Sequence, residues 1–347
     1  MSTPLHRVRA RAPGRVNVIG DHTDYTGGLV LPMAIAEGTT VTVERGGDGV
    51  HLVSDHDDVA ADVPLDIADP APAQPAWARY VAGVVAELRP PVGATGTVTT
   101  TLPLGGGLSS SAALEVAVAL ALGFDGDTRA LAELCQRAEH RASGVPCGIM
   151  DQLASAAGVE GALLLIDCRT VSVTPVALPA DLAVVGVHSG QPRALAGTAY
   201  AERRAECEAA ERVLGPLRDA TASDVDALRD ARLRRRARHV VTENGRVLAF
   251  VDALRAGDYT VAGRAMSDSH ASLRDDFEVS TPEVDTLVAR LAATPGVVGA
   301  RMTGGGFGGV VVALCDAERG AAVAGAFGGT VFRPSAGATV DTADGAT

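Results

Sequence analysis

The chain has 347 residues, 47% of them apolar and 21% charged, enough for about two domains and a substantial core. Its net charge of −12 excludes general affinity for nucleic acid or an anionic membrane surface, but not an anionic nucleotide gripped locally by amides and a cation. Five scattered cysteines without a CxxC pair read as reduced thiols rather than a disulfide framework or zinc site. With no signal-like start and no membrane-length apolar run, a cytoplasmic protein is expected.

Residues 6–12 alternate polar and apolar, as a half-buried strand does. The next stretch, Gly14-Arg15-Val16-Asn17-Val18-Ile19-Gly20-Asp21-His22-Thr23-Asp24-Tyr25, keeps Arg15 and Asn17 on one face and apolar residues on the other. Asp21, His22 and Asp24 then crowd into four residues. Such a set suits a polyhydroxylated ligand, because carboxylates accept from vicinal hydroxyls and His donates or accepts. A plain solvated loop accounts for the same tetrapeptide, while a metal site lacks a second cluster of ligand spacing. Strands are expected over 39–45 and 51–54, and a Pro- and Asp-rich loop over 62–75. Apolar residues at 77, 80, 81, 84, 85 and 88 predict a helix, in which Trp77 reads as a packing residue.

Thr97–Thr101 is β-branched except at no position and reads as a strand, and Ala112–Leu122 as a buried helix. Between them Leu104-Gly105-Gly106-Gly107-Leu108-Ser109-Ser110-Ser111 brings bare amides to the first turn of that helix, a disposition that suits phosphate. A flexible turn is the competing reading. The chain contains no Lys, so a Walker-type loop and Schiff-base chemistry are both excluded.

A helix follows over 127–142, carrying Glu139 near its end, and Pro146 and Gly148 then break the chain before a helix that opens near Gly148. Asp151 falls in its first turn, where a carboxylate also serves simply as a cap. Strands are expected at 163–166, 171–174 and 182–187, with a domain boundary near residue 180 separating 1–180 from 181–347. A charged helix opens over 198–208 with Tyr200, on a surface by the simplest reading. The five arginines of 232–238 read as a solvated helix face. Further helices are expected at 266–273 and 281–293. A glycine-rich segment, Arg301-Met302-Thr303-Gly304-Gly305-Gly306-Phe307-Gly308-Gly309, lies between strands 297–302 and 310–314, and the tail after Pro334 reads as frayed.

The stretch from Gly14 to Tyr25 resembles the galactokinase signature, and the serine loop resembles the ATP-binding motif of the wider GHMP kinase superfamily. The segment Arg301–Gly309 is similar to the third superfamily motif, and the three occur in order over nearly the whole chain. The resemblance implies a two-domain α+β GHMP kinase fold, with mixed sheets and helices and an active site in the cleft between domains. It implies ATP-dependent phosphorylation of D-galactose at its anomeric hydroxyl, with Mg²⁺. Within Pro146-Cys147-Gly148-Ile149-Met150-Asp151-Gln152 it makes Asp151 the catalytic carboxylate, with Arg15 beside it. Sugar contacts are expected from Asp21, His22, Thr23, Asp24, Gly148 and Tyr200. Phosphate contacts are expected from Gly105, Gly106, Gly107, Leu108, Ser109, Ser110 and Ser111, and Mg²⁺ ligands from Ser111 and Glu139. The third motif is expected beside the phosphate loop, and a monomer with small-molecule partners only.

Asp21 stands where most of that family carry Glu, one methylene longer, so a GHMP kinase for another sugar or cyclitol stays open. A non-catalytic sugar and ATP sensor of the same fold is the third reading; the complete Ser109-Ser110-Ser111 loop, Arg15 and Asp151 argue against it.

Overall fold

The computed structural model describes residues 7–103, 106–191 and 196–343. Gly105 of the expected phosphate cradle, with its neighbour Leu104, lies outside the described residues, as does His6 at the start of the first expected strand.

The first sheet is organised by β1 (Arg7–Asn17), whose burial alternates through residue 10 and becomes complete from Ala12 onward. β2 (Leu29–Val30) and β3 (Pro32–Arg45) follow, then β4 (Gly49–Ser54), β5 (Ala61–Pro64), α1 (Ala78–Leu88) and β6 (Ala94–Thr100). β5 occupies the start of the segment expected to be a loop. Ala61 and Val63 face the core while Asp62 and Pro64 face out, a period of two too short to read against the prolines that follow. α2 (Ser110–Ala121), α3 (Thr128–Ser143) and α4 (Met150–Ala157) complete this half, and α1 to α3 build a shared core with the sheet. Asp127 caps α3 by accepting from the Ala130 amide at 2.8 Å, and Gly144 ends it in a left-handed conformation.

β7 (Ala162–Asp167) and β8 (Ser172–Ala177) join β2 in a three-stranded sheet. β9 (Leu182–His188), α5 (Ala196–Leu214), the short α6 (Ala222–Asp226), α7 (Ala231–Ala256), α8 (Tyr259–Asp275) and α9 (Pro282–Ala292) follow. β10 (Val297–Met302), β11 (Val310–Asp316), α10 (Ala317–Phe327), β12 (Thr330–Phe332) and β13 (Thr339–Ala343) end the described chain. The second large sheet has the order β10-β11-β9-β12, all antiparallel.

Two further findings differ from the expectations. Residues 339–343 are not frayed: β13 returns to the first sheet and pairs antiparallel with β1, giving the order β13-β1-β3-β6-β4-β5. The arginine run is a solvated face only in part. Arg232 is exposed, but Arg234, Arg235 and Arg238 are half-buried and Arg236 is buried outright. A middle core unites the halves, with Val16, Val18 and Ile19 of the β1 segment packed among Val247 and Phe250 of α7, Met266 of α8 and Val312 of β11. The end of β1 is thereby held from both sides. Among the described residues no helix is long and apolar enough to cross a membrane.

Candidate active site

β1 passes directly under the serine loop. The Arg15 amide donates to the Leu108 carbonyl at 3.1 Å, and at Gly14 a Cβ would lie 2.6 Å from that same oxygen. Only glycine permits this approach, and the ladder to β3 shifts register between Pro13 and Arg15 to accommodate it. Arg15 therefore emerges, buried, at the mouth of the loop.

Its guanidinium meets the first turn of α4. Arg15 Nε donates to Asp151 Oδ1 at 2.6 Å and Nη2 to Oδ2 at 2.5 Å, while Nη1 donates to the Gly107 carbonyl at 3.0 Å. Burial alone would lower the pKa of Arg15, but Asp151, with Asp21 and Asp24 further off, outweighs it and the group sits above its ordinary value. Ser109 Oγ donates to Asp151 Oδ2 at 2.5 Å. Ser109 precedes α2 at φ 60° and ψ 50°, a left-handed conformation uncommon for serine, and such strain collects at functional sites. Among the described residues Oδ1 of Asp151 has one partner and so keeps an acceptor position.

Around Asp151 opens a pocket of about 190 Å³ lined by Arg15, Asp21, His22, Asp24, Gly148 and Tyr200 together with Val145, Cys147, Met150, Gly304 and Gly305. Larger grooves exist elsewhere, such as one of about 500 Å³ between α9 and α10, but this one gathers the carboxylates. Asp24 opens a 3-10 turn (Asp24–Thr26) and lies against Gly148, where any Cβ would collide with its carboxylate. Burial pushes its carboxyl up to about 7, helped by Asp151 and Asp21. His22, at φ 64°, is held neutral, its pKa lowered to about 3 chiefly by burial and then by His239. Its ring packs 5.3 Å from Tyr200 and 4.7 Å from Phe277, and its Nδ1 pairs with the Tyr25 hydroxyl at 3.0 Å.

Two expected sugar contacts have other partners. Thr23 is fully buried outside the pocket, and its Oγ1 donates to the carbonyls of Gly20 and Leu29 at 2.9 and 2.7 Å. It locks the loop rather than facing a ligand. Asp21 borders the pocket, but Oδ2 meets Arg301 Nη1 at 2.6 Å and Oδ1 accepts from the Gly304 amide at 2.8 Å. The third motif therefore packs on the signature loop, with its first glycines bordering the Asp151 pocket; Thr303 Oγ1 adds a bond to the Asn17 carbonyl at 2.7 Å. Gly305 faces Tyr200, whose ring would sit 3.3 Å from any Cβ there.

On the other side of the serine loop, Ser111 Oγ donates to Glu139 Oε1 at 2.8 Å, and Gln152 donates to Glu139 Oε2. Burial raises the pKa of Glu139, and Asp151 adds to it. Glu115, one turn after Ser111 on α2, is wholly buried and raised further by the same cause. Among the described residues no three His, Cys, Asp or Glu side chains are grouped to hold a metal by themselves. Ser111 and Glu139 are nonetheless hard oxygen donors, half-buried and facing one another. That fits Mg²⁺, which binds through one or two carboxylates and completes its shell with phosphate and water.

Ser110 and Ser111 also line a second cavity, of about 360 Å³, with Thr39, His56, Trp77 and Tyr80. Sequence reasoning missed this wall. Trp77 sits at the head of an apolar helical stripe, where packing explains it, yet its indole N–H is buried without a partner among the described residues. Gly106, Gly107 and Leu108 line neither cavity, and Leu108 is buried in one cluster with Ala113 and Leu102.

Comparison with known proteins gives a consistent result. Residues 3–45 match the galactokinase galactose-binding signature, 79–159 the GHMP kinase N-terminal domain and 250–333 the GHMP kinase C-terminal domain. The chain is 46% identical over 329 residues to a galactokinase of Homo sapiens, covering 88% of this chain and 83% of that protein. It is 45% identical to a galactokinase of Chloroflexus aggregans, covering 89% and 84%. Its structure is similar to that of Lactococcus lactis galactokinase complexed with galactose, with a TM-score of 0.89 at 32% identity and 96% and 95% coverage. A mevalonate kinase at 16% identity shares the fold, with a TM-score of 0.65 over 96% of this chain and 98% of that one.

Proposed function

The chain belongs to the galactokinase family of the GHMP kinases, and from that premise we propose that Asp151, Arg15 and the serine loop transfer the γ-phosphoryl group of ATP to the anomeric hydroxyl of D-galactose. The products are α-D-galactose 1-phosphate and ADP. One observation carries the assignment of roles: Arg15 and Ser109 both grip Asp151 at the boundary between the small polar pocket and the serine loop.

At about 190 Å³ the Asp151 pocket is smaller than the roughly 300–1,000 Å³ of drug-sized sites, which suits a single monosaccharide. Asp24, His22, Gly148 and Tyr200 face its hydroxyls, and Asp21 borders it while tied to Arg301. The acceptor position left on Asp151 Oδ1 receives the reacting hydroxyl, orients it and takes its proton as the new P–O bond forms. Arg15 holds Asp151 in place through two hydrogen bonds, and its fixed charge faces the phosphoryl group in flight.

Gly106, Gly107, Leu108, Ser109, Ser110 and Ser111, with Gly105, cradle the phosphates at the start of α2. The cavity walled by Trp77 and Tyr80 receives the base. Ser111 and Glu139 would hold Mg²⁺, which supplies charge neutralisation on the phosphates. The site is complete within one chain, which supports a monomer acting on small molecules alone, and the use of ATP fits a cytoplasmic enzyme. A division near residue 180 belongs to the same reading, with β13 returning across it. Another sugar or cyclitol as substrate and a silent sensor are both disfavoured by the identity to galactokinases and by the intact constellation.

The test is ADP release with Mg-ATP and a panel of galactose, galactosamine, glucose and arabinose. Turnover strongest with galactose is expected, and Asp151→Asn or Arg15→Ala should lower kcat by about 10²–10³-fold or more while ATP still binds. Full activity in either variant overturns the assignment.

A further inference from the structure

The arginine run of α7 takes no part in this chemistry, yet Arg236 is buried while most of its neighbours reach solvent. We propose that Arg236, together with Arg203 of α5, is a positioning residue for the sugar pocket: the two guanidinium groups hold the turn after α8 so that Phe277 fixes the ring of His22. The inference rests on the galactokinase reading of that pocket.

Three consecutive carbonyls of the turn are held. Arg236 Nη1 donates to the Asp276 carbonyl at 2.5 Å, and Arg203 Nε and Nη2 donate to those of Phe277 and Glu278 at 2.8 and 3.1 Å. These are carbonyls at and just past a helix C-terminus, where cations are favoured. Arg236 is completed by two carboxylates, Glu206 at 2.6 Å on α5 and Glu278 at 2.5 Å in the turn itself. Glu278 is driven to φ 56°, a left-handed conformation that persists in a non-glycine residue only where surroundings impose it.

The imposed turn does two things. It sets the Phe277 ring 4.7 Å from His22 and 4.6 Å from His239, and the Val279 carbonyl accepts from the Phe307 amide of the third motif at 2.7 Å. α5, which carries Arg203 and Glu206, also carries Tyr200, a second ring beside His22. One charge cluster thus sets two of the three aromatic neighbours of a pocket residue that itself sits at φ 64°. Apolar packing would often stabilise a core as well as a buried ion network, so stability alone gives little reason for these charges; fixed geometry does.

The experiment measures kcat and both KM values for the full chain and for Arg236→Met, Arg236→Lys and Glu278→Gln, with Arg234→Met as control. Arg234 belongs to the same run but donates only to the Leu228 carbonyl among the described residues. The expected result is a galactose KM raised about tenfold in Arg236→Met with the ATP KM unchanged, partial recovery in Arg236→Lys, a smaller rise in Glu278→Gln, and no change in Arg234→Met. If Arg236→Met does not fold, Arg236→Lys and the half-exposed Glu278→Gln decide. Wild-type galactose KM in both, or equal loss for both substrates, overturns the proposal. A wild-type chain without galactose turnover would instead refute the functional reading, and calorimetric galactose binding to the same variants would then test the clamp directly.

Discussion

Asp21 and Arg301 form an ion pair with 2.6 Å between Oδ2 and Nη1, and both side chains are shut off from solvent. Arg301 also donates to the Val18 carbonyl at 3.1 Å and lies 3.9 Å from Glu243, so the signature loop and the third motif meet through one guanidinium. Removing one partner leaves the other charge buried and unpaired. Asp21→Ala and Arg301→Met should each cost about 3–5 kcal/mol of stability, seen as a lower urea midpoint. Wild-type midpoints would show that the pair contributes nothing.

Asp24 gives a pH signature. Its carboxyl titrates near 7 in the folded chain against an ordinary value of 3.8, so between those values the folded state holds a proton that the unfolded state has lost. Its contribution to stability is therefore full below about 4 and is lost as pH rises to about 7, at no more than ~1.4 kcal/mol per pH unit. His22, lowered to about 3, works in the opposite sense over much of that range. The difference between Asp24→Asn and wild type removes this background. The variant should gain on wild type steadily from pH 4 to 7 in urea unfolding, while its galactose KM rises. A difference independent of pH would contradict the assignment.

Much of this site could be read from local sequence, because its parts are contiguous: Arg15 to Asp24, Gly106 to Ser111, and Gly148 with Asp151. The alternation on β1, the glycines and the helix starts each carry a short-range signal. Arg236 carried none, since the carboxylates that neutralise it, Glu206 and Glu278, lie on other elements, and a charge run seen alone resembles a solvated face. Asp21 lines the pocket as expected, but its ion pair is not legible locally because Arg301 is 280 positions away. β13 was missed for a similar reason: a small, polar edge strand is specified by the β1 backbone it pairs with rather than by its own side chains.

Ser111 and Glu139 make a separate prediction about the metal. Both are oxygen donors on opposite sides of a 2.8 Å hydrogen bond, and Glu139 is only half-exposed to solvent. Ser111→Ala and Glu139→Gln should raise the Mg²⁺ concentration for half-maximal turnover by about tenfold or more, with galactose KM little changed. An unchanged Mg²⁺ titration in both variants would move the metal away from this corner.

Trp77 is the sole tryptophan of the chain, which makes it a direct reporter on the second cavity. Its ring lines that cavity beside Tyr80, Ser110 and Ser111, with an unpartnered buried N–H. A base entering there would stack on the ring. Titration with ATP or ADP should therefore change the tryptophan emission of the unmodified enzyme, while galactose, bound beyond the serine loop, should not. Trp77→Ala should weaken nucleotide binding by about 1–3 kcal/mol, the usual worth of one base–aromatic stack, and leave galactose affinity intact. If emission is silent to nucleotide and Trp77→Ala binds ATP normally, the base lies elsewhere and Trp77 only packs α1 against its sheet.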